Sequence, residues 1–302
     1  MADITQIKHH IRSVNETHQI TKAMELISVS KMRRMMTKQA FGSVYFDSVR
    51  STVKDILLHS ADVQNKYTWK REGGRAAYIV IAGDKGLAGA YNNTVLSLAW
   101  EHMQQYPMRY VITVGQMART FFESRQQTID LEFTHAVANP TMHDARGIAA
   151  DILDLYDQNL MDVVYIVYTH LKSASNCVPQ VVKLLPVAEE DIDSPVRQTF
   201  HGEITYDPSP KDVLNVMVPQ YLVGVIYTTL IDSSASENAS RMLAMSSANK
   251  NAEKMLSALQ LEYNRVRQSA ITSELLDLTT NKFFYDDSSS GGGRQDEGQF
   301  GL

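Results

Sequence analysis

Apolar residues near the start of the chain recur in steps of three and four: Ile4, Ile7, Ile11 and Val14, and further on Phe46, Val49, Val53 and Ile56. Such steps place side chains on one face of a helix. Residues 2 to 60 hold no proline and a single glycine, Gly42. One helix over 2–62 is therefore predicted, of a length usually met in coiled coils. The other end of the chain repeats the pattern through Ala235, Ala239, Met242, Ser246, Asn249, Ala252, Leu256, Leu259, Tyr263, Val266, Ala270 and Ser273. Alternating steps of four and three give the 3.5-residue period of a left-handed supercoil. Most of these seam residues are small or polar, so packing is close and its hydrophobic gain modest. Leu256 and Leu259 are the large anchors. A second helix is predicted over 211–282, with Pro219 as a break or as the true start. Two such helices at opposite ends of a compact middle predict antiparallel partners.

The middle follows a different rule. "AAYIVIA" (76–82), "RYVITV" (109–114) and "DVVYIVYT" (162–169) are short β-branched runs. Helices are expected after Asn92, after Gln116 and over 143–158. That alternation predicts a parallel sheet with crossover helices, an α/β domain of Rossmann-like type over 74–200. "VPQVVKLLPV" (178–187) adds a strand, antiparallel to its neighbour because the connection is short. The fold class is α/β: a long antiparallel coiled coil of the N- and C-terminal helices plus a central α/β domain. Residues 283–302 read as a flexible tail. Ser288 to Gly293 has a linker composition, and the last stretch is polar and acidic.

Composition narrows the function classes. The 302 residues are 44% hydrophobic with a net charge of −5, which excludes a dedicated nucleic-acid binder. The one cysteine, Cys177, excludes an internal disulfide and a CxxC metal site. No signal peptide is visible. The longest apolar stretch, "YLVGVIYTTLI" (221–231), is shorter than a bilayer span, so membrane association is expected through partners only.

The candidate chemistry centres on "GDKGLAGAYN" (83–92). Three glycines, Gly83, Gly86 and Gly89, follow an apolar strand and enclose Lys85, as in a phosphate cradle. A Walker loop needs Gly-Lys-Ser/Thr after four intervening residues, whereas here Lys85 precedes Gly86. The dinucleotide fingerprint needs Gly-x-Gly, and this loop is spaced Gly-x-x-Gly-x-x-Gly. The other explanation is structural: positive φ or close helix approach at the three glycines, with Asn92 or Asn93 capping the next helix. Asp84 is the one carboxylate in the loop, so no acid/base pair is suggested there. The nine histidines show no ligand spacing, and His9, His10 and His18 fall on the first helix. Residues 1–61 carry nine Lys/Arg against five Asp/Glu.

"ITKAMELISVSKMRR" (20–34), "GDKGLAGAYN" (83–92), "SENASRMLAM" (236–245) and "YNRVRQSAITSE" (263–274) closely resemble, in order, the signatures of the gamma subunit of F-type ATP synthase. The likeness spans residues 2 to about 280. It implies a rotary shaft without an active site or bound cofactor of its own. Such a shaft penetrates a ring of alternating alpha and beta subunits and stands on a c ring beside an epsilon subunit. It implies beta-subunit contacts at Lys31, Arg33 and Arg34, with Lys38 in the same cluster, and at Met24, Arg267 and Gln268. It places Tyr206, in "ITYDPSPKD" (204–212), near the c ring at the foot. It implies a peripheral membrane location, on the cytoplasmic face of the bacterial plasma membrane if the missing transit peptide is significant. The single cysteine argues against thiol regulation, which needs a pair. Two departures stand out: Asn281-Lys282 replace the family's closing Gly-Ala pair, and the chain runs on through "FFYDDSSSGGGRQDEGQFGL". A non-coupling scaffold or regulatory paralogue of the gamma subunit, or a nucleotide-binding α/β enzyme with helical arms, remain the alternatives.

Overall fold

The computed structural model describes residues 4–59, 65–71, 73–192, 206–207 and 209–289. They fall into two compact units, Lys22–Ser247 and Met1–Thr21 with Ala248–Leu302. The elements run α1 (Ile4–His59), β1 (Arg75–Ile81), α2 (Tyr91–Met103), β2 (Met108–Val114), α3 (Gln116–Ser124), β3 (Leu131–Phe133), α4 (Met142–Asp157), β4 (Val163–Ser173), β5 (Asn176–Leu185) and α5 (Pro210–Ser289).

In the larger unit the sheet order is β3-β2-β1-β4-β5. β1, β2, β3 and β4 are parallel, and β5 returns antiparallel to β4 across a short turn. β1 explains its own sequence. Ala77, Ile79 and Ile81 enter a core shared with α1, α4 and α5, while Ala76, Tyr78 and Val80 enter a second core under α2 and α3. A parallel strand covered on both faces reads as an unbroken apolar run, as "AAYIVIA" does. β3 has only three residues and no apolar run, so the sequence pattern missed it.

The paired helices obey the seam. In the larger unit α1 contributes Met35 to a cluster with Ile231 and Ala235 of α5, and Phe46 packs on Tyr227. In the smaller unit Lys8 lies over the Tyr263 ring, His18 meets Glu253 at 3.6 Å, and Thr21 donates to Asn249. Rising numbers on α1 meet falling numbers on α5, so the pairing is antiparallel in each unit. Of the seam read from the sequence, Ala235, Ala239, Asn249 and Leu259 are buried, most of the rest are half-buried, and Ser273 is exposed.

Three details correct the sequence reading. α5 does not break or begin at Pro219; it starts at Pro210 and passes through that residue. The lost helical hydrogen bond is offset by the burial of Val218, Tyr221 and Leu222. An 18-residue window within Pro210–Leu276 is apolar enough by length and composition to cross a bilayer, longer than 221–231 alone, but half of it is buried inside the protein. α5 runs to Ser289, beyond residue 282, and residues 290–302 of the expected tail lie outside the described residues.

The lower edge of the sheet is tied by Asp162, buried at the start of β4. It takes two hydrogen bonds from the Arg75 guanidinium, at 2.7 and 3.0 Å, and one from the Arg75 backbone N–H at 2.9 Å. The Arg75 side chain holds the Asp162 carboxyl below its ordinary range, against the opposing effect of burial. A depressed folded-state value contributes stability above the unfolded value of about 3.9, which is lost as pH falls through the folded value. Melting temperatures measured from about pH 5 downward are expected to fall less steeply in Asp162→Asn than in the wild type, even though the variant starts lower.

Candidate functional site

The glycine loop sits at the carboxyl ends of β1 and β2. Ala82 N–H donates to Val114 O at 3.0 Å and Met117 N–H to Gly83 O at 2.9 Å, joining the two strand ends and the first turn of α3. β2 lies on one side of β1 and β4 on the other. The crevice beside this loop is therefore the switch point at which open α/β sheets bind ligands. Here α5 occupies it. Ser236 Oγ donates to Thr169 O at 3.0 Å, Tyr91 OH donates to Ser233 O at 3.1 Å, and Asp232 accepts from Leu171 N–H at 2.9 Å and contacts His170 Nδ1 at 2.5 Å. Residues 231–239 of α5 are buried without interruption.

Small side chains over 231–239 follow from this enclosure, because strands and helices press on the helix from several sides. The three loop glycines are not equivalent. At Gly83 a Cβ would lie 2.8 Å from Glu237 Oε1, and Gly89 has φ +60. These two fit the structural explanation. Gly86 does not, having open space and no positive φ. The unforeseen position is Gly115, between β2 and α3, with φ +97 and a Cβ direction pointing at the Ala82 carbonyl oxygen. Neither Asn92 nor Asn93 caps α2, whose N-cap is Ala90. Asn92 instead braces the loop: its Oδ1 accepts from Gly83 N–H at 2.9 Å, and its Nδ2 donates to Lys85 O at 3.4 Å.

The loop also has a second carboxylate that no local pattern announces. Glu237 arrives from α5, 154 residues away in sequence from Gly83, and faces a cleft of about 610 Å³ that Asp84, Lys85, Lys31, His135 and Arg241 also line. Only the packing of α5 against the loop brings the two acids together. Among the described residues no cluster of three or more His, Cys, Asp or Glu is placed to hold a metal.

The shaft residues anticipated from the resemblance lie on α1 and α5. Lys31, Arg33 and Arg34 are exposed, Met24 is half-buried, and Arg267 and Gln268 are exposed. Lys31 lines the cleft just described and so faces the chain's own acids as well as solvent. Lys38 is engaged within the chain: its Nζ donates to Asn139 Oδ1 and Pro140 O, each at 3.1 Å. Burial and the neighbouring Arg34 lower its pKa. Tyr206 packs half-buried against the core of the α4 face. Its hydroxyl is buried and makes no hydrogen bond among the described residues, and burial, then Asp55, raise its pKa.

The chain matches known proteins along nearly its whole length. Residues 3–281 match the family model described as ATP synthase. The chain is 39% identical over 283 residues to the ATP synthase gamma chain of Ruminiclostridium cellulolyticum, covering 91% of this chain and 96% of that protein. It is 34% identical over 291 residues to the sodium ion specific ATP synthase gamma chain of Acetobacterium woodii, covering 91% and 96%. Among solved structures, the central stalk and c-ring structure of the Tetrahymena thermophila mitochondrial ATP synthase contains a chain that aligns with a TM-score of 0.60 at 25% identity, over 76% of this chain and 99% of that one. A chain from the Euglena gracilis mitochondrial enzyme aligns with a TM-score of 0.65 at 16% identity, over 98% and 99%, and shares the fold. The fold and its helical pair thus define the central-stalk rotor class of a membrane-associated ATP synthase. The chain belongs to the ATP synthase gamma chain family.

Proposed function

We propose that the paired helices turn inside a ring of alternating alpha and beta subunits, with an epsilon subunit and a c ring at the foot. The assembly would lie on the cytoplasmic face of a bacterial plasma membrane. Ion-driven rotation of the c ring is passed through this chain to the catalytic sites of the beta subunits, for synthesis or hydrolysis of ATP. The observation that carries this reading is the occupation of the switch-point crevice by α5. The switch point, where open sheets of this kind bind ligands, is used here to anchor the long helix. A single asymmetric shaft that contacts three chemically alike sites differently supplies the coupling free energy that rotation requires.

On this reading Lys31, Arg33 and Arg34 meet acidic segments of beta subunits, Met24 supplies adaptable packing at a sliding surface, and Arg267 and Gln268 make directional polar contacts. The segment of Tyr206 belongs to the foot. An exposed guanidinium can form paired hydrogen bonds to a carboxylate, which suits a contact that must hold direction. Affinity capture of the intact complex is expected to recover alpha, beta and epsilon subunits with one copy of this chain per catalytic ring. Recovery of the chain without that ring would support a scaffold or regulatory paralogue. In the captured complex, Arg267→Ala is expected to weaken ring assembly or ATP-driven ion pumping by roughly 1.5–3 kcal/mol, as for a hydrogen bond to a charged group. Pumping and complex stability both equal to wild type would remove Arg267 from the contact.

A further inference from the structure

The cleft beside the glycine loop holds a group that anchoring α5 does not require. Glu237 is 6% exposed. Its Oε1 accepts from Arg241 Nη2 at 2.5 Å, and the Arg241 side chain is 13% exposed. The same Nη2 donates to Gly86 O at 3.2 Å and Lys85 O at 3.4 Å. One guanidinium thus ties the carbonyls of the loop tip to a buried carboxylate on the helix. Gly83 permits the approach, since any side chain there would meet Glu237. Apart from this tie and the Asn92 Nδ2 bond to Lys85 O at 3.4 Å, the tip faces solvent: Lys85 and Gly86 are exposed, and Leu87 is 64% exposed with φ +62. A leucine in the left-handed region holds that conformation only while its surroundings impose it.

Beside this tie, Asp84 accepts at Oδ1 from Gln116 N–H at 3.1 Å, while its Oδ2 is buried and has no hydrogen-bond partner among the described residues. An acceptor left in that state is costly, and a nearby O–H would satisfy it.

We propose that Glu237 and Arg241 are positioning residues that form a proton-sensitive latch. The ionised pair fixes the 83–89 loop to α5. When Glu237 takes a proton from solvent, its new O–H is donated to Asp84 Oδ2, Arg241 loses its carboxylate, and the tip Lys85–Leu87 is released.

The charged and titratable groups around Glu237 set the direction. Arg241 lies on its own helix, Asp84 and Lys85 on the loop, Lys31 on α1 and Tyr91 on α2, and His135 lines the same cleft. Burial is the largest influence and raises the Glu237 pKa; Asp84 adds to it, and Arg241 and Lys31 oppose it without reversing it. Tyr91 is fully buried and its pKa is raised, so it stays neutral. Glu237 therefore takes up a proton at a higher pH than an exposed glutamate. A raised folded-state value means that the folded chain binds this proton more readily than the unfolded chain, so protonation does not itself promote global unfolding. Acid opens the loop while the fold persists. The latch works in this way whichever partner the tip meets.

Hydrogen exchange of the assembled complex tests this, with loop protection factors corrected for intrinsic exchange and followed from about pH 8 to about pH 5. In the wild type, the loop amide that the fold holds, Gly83 N–H bonded to Asn92 Oδ1 at 2.9 Å, should lose roughly tenfold protection across that range as the loop loosens, with α5 and the sheet unchanged. Glu237→Gln, which mimics the protonated carboxyl, should show the low-pH protection throughout and no pH response. Asp84→Asn, which keeps the acceptor for Gln116 but removes the charge, should move the midpoint to lower pH. If Glu237→Gln fails to assemble, the shift in Asp84→Asn decides. Loop protection independent of pH in the wild type, or a midpoint unmoved by Asp84→Asn, overturns the latch.

Discussion

Gly115→Ala is expected to be among the most damaging single substitutions in the α/β unit. Gly115 lies at φ +97 and ψ 148, between β2 and α3. That region is essentially closed to residues with a Cβ, and occupying it costs about 1–3 kcal/mol. The added methyl would also point into the Ala82 carbonyl oxygen, whose residue donates its N–H to Val114 O. Relief requires that the ends of β1 and β2 separate, which would also disturb the Met117 N–H to Gly83 O bond. A melting-temperature loss on the order of 5–10 °C follows for a unit of this size. Gly86→Ala is the contrast, because its Cβ direction is open and its φ ordinary. It should lie within about 0.5 kcal/mol of wild type, as exposed substitutions usually do. Thermal unfolding of both variants checks the pair, and equal melting temperatures would refute this account of the loop.

The second large effect is expected at Ala235→Phe. Ala235 is fully buried where α5 meets Met35 of α1, next to Ile231. It lies within the stretch 231–239 that is buried on every side. Overpacking a filled core by a few methylenes costs about 1–3 kcal/mol and occasionally more, and a phenyl ring exceeds that. Because α5 cannot rotate a large side chain out to solvent here, the strain must separate α1 from α5 or lift α5 off the sheet. The expected results are a lowered melting temperature and poor incorporation of the chain into an ATP synthase complex, measured by unfolding and by its yield in captured complex. An Ala235→Phe chain that assembles and melts like wild type would show that α5 is less tightly enclosed than its burial implies. Ala235→Ser, close in volume, should remain near wild type.

The two long helices, the antiparallel return and the parallel strands were legible because each rests on a period in the sequence. Ile4 to Ile56 and Ala235 to Leu259 carry the 3.5-residue seam, and the runs at 76–82, 109–114 and 162–169 are apolar because both faces of the sheet are covered. Pro219 was misread because local propensity argues against proline inside a helix, while the packing of Val218, Tyr221 and Leu222 outweighs it. The signature motifs identified the family because long strings in a fixed order are hard to reproduce by chance. Lys38 fits its place in the basic cluster by sequence, yet its partners, Asn139 and Pro140, lie about a hundred residues on.

The sequence by itself determined the helical pair, the class of the central sheet and the family, since all three depend on residue order and local period. Only the tertiary structure decided what the glycine loop is. Gly83, Asp84 and Lys85 are neighbours in the chain and look like a phosphate cradle. Glu237 and Arg241, far along the chain, close on them, and "IDSSASENA" (231–239), a polar stretch of the predicted helix, fills the switch-point crevice. The reason is physical: burial and charge proximity are set by which distant segments pack together, and the seam at Ala235 and Ala239 marks one face of the helix without showing that its other faces are enclosed too.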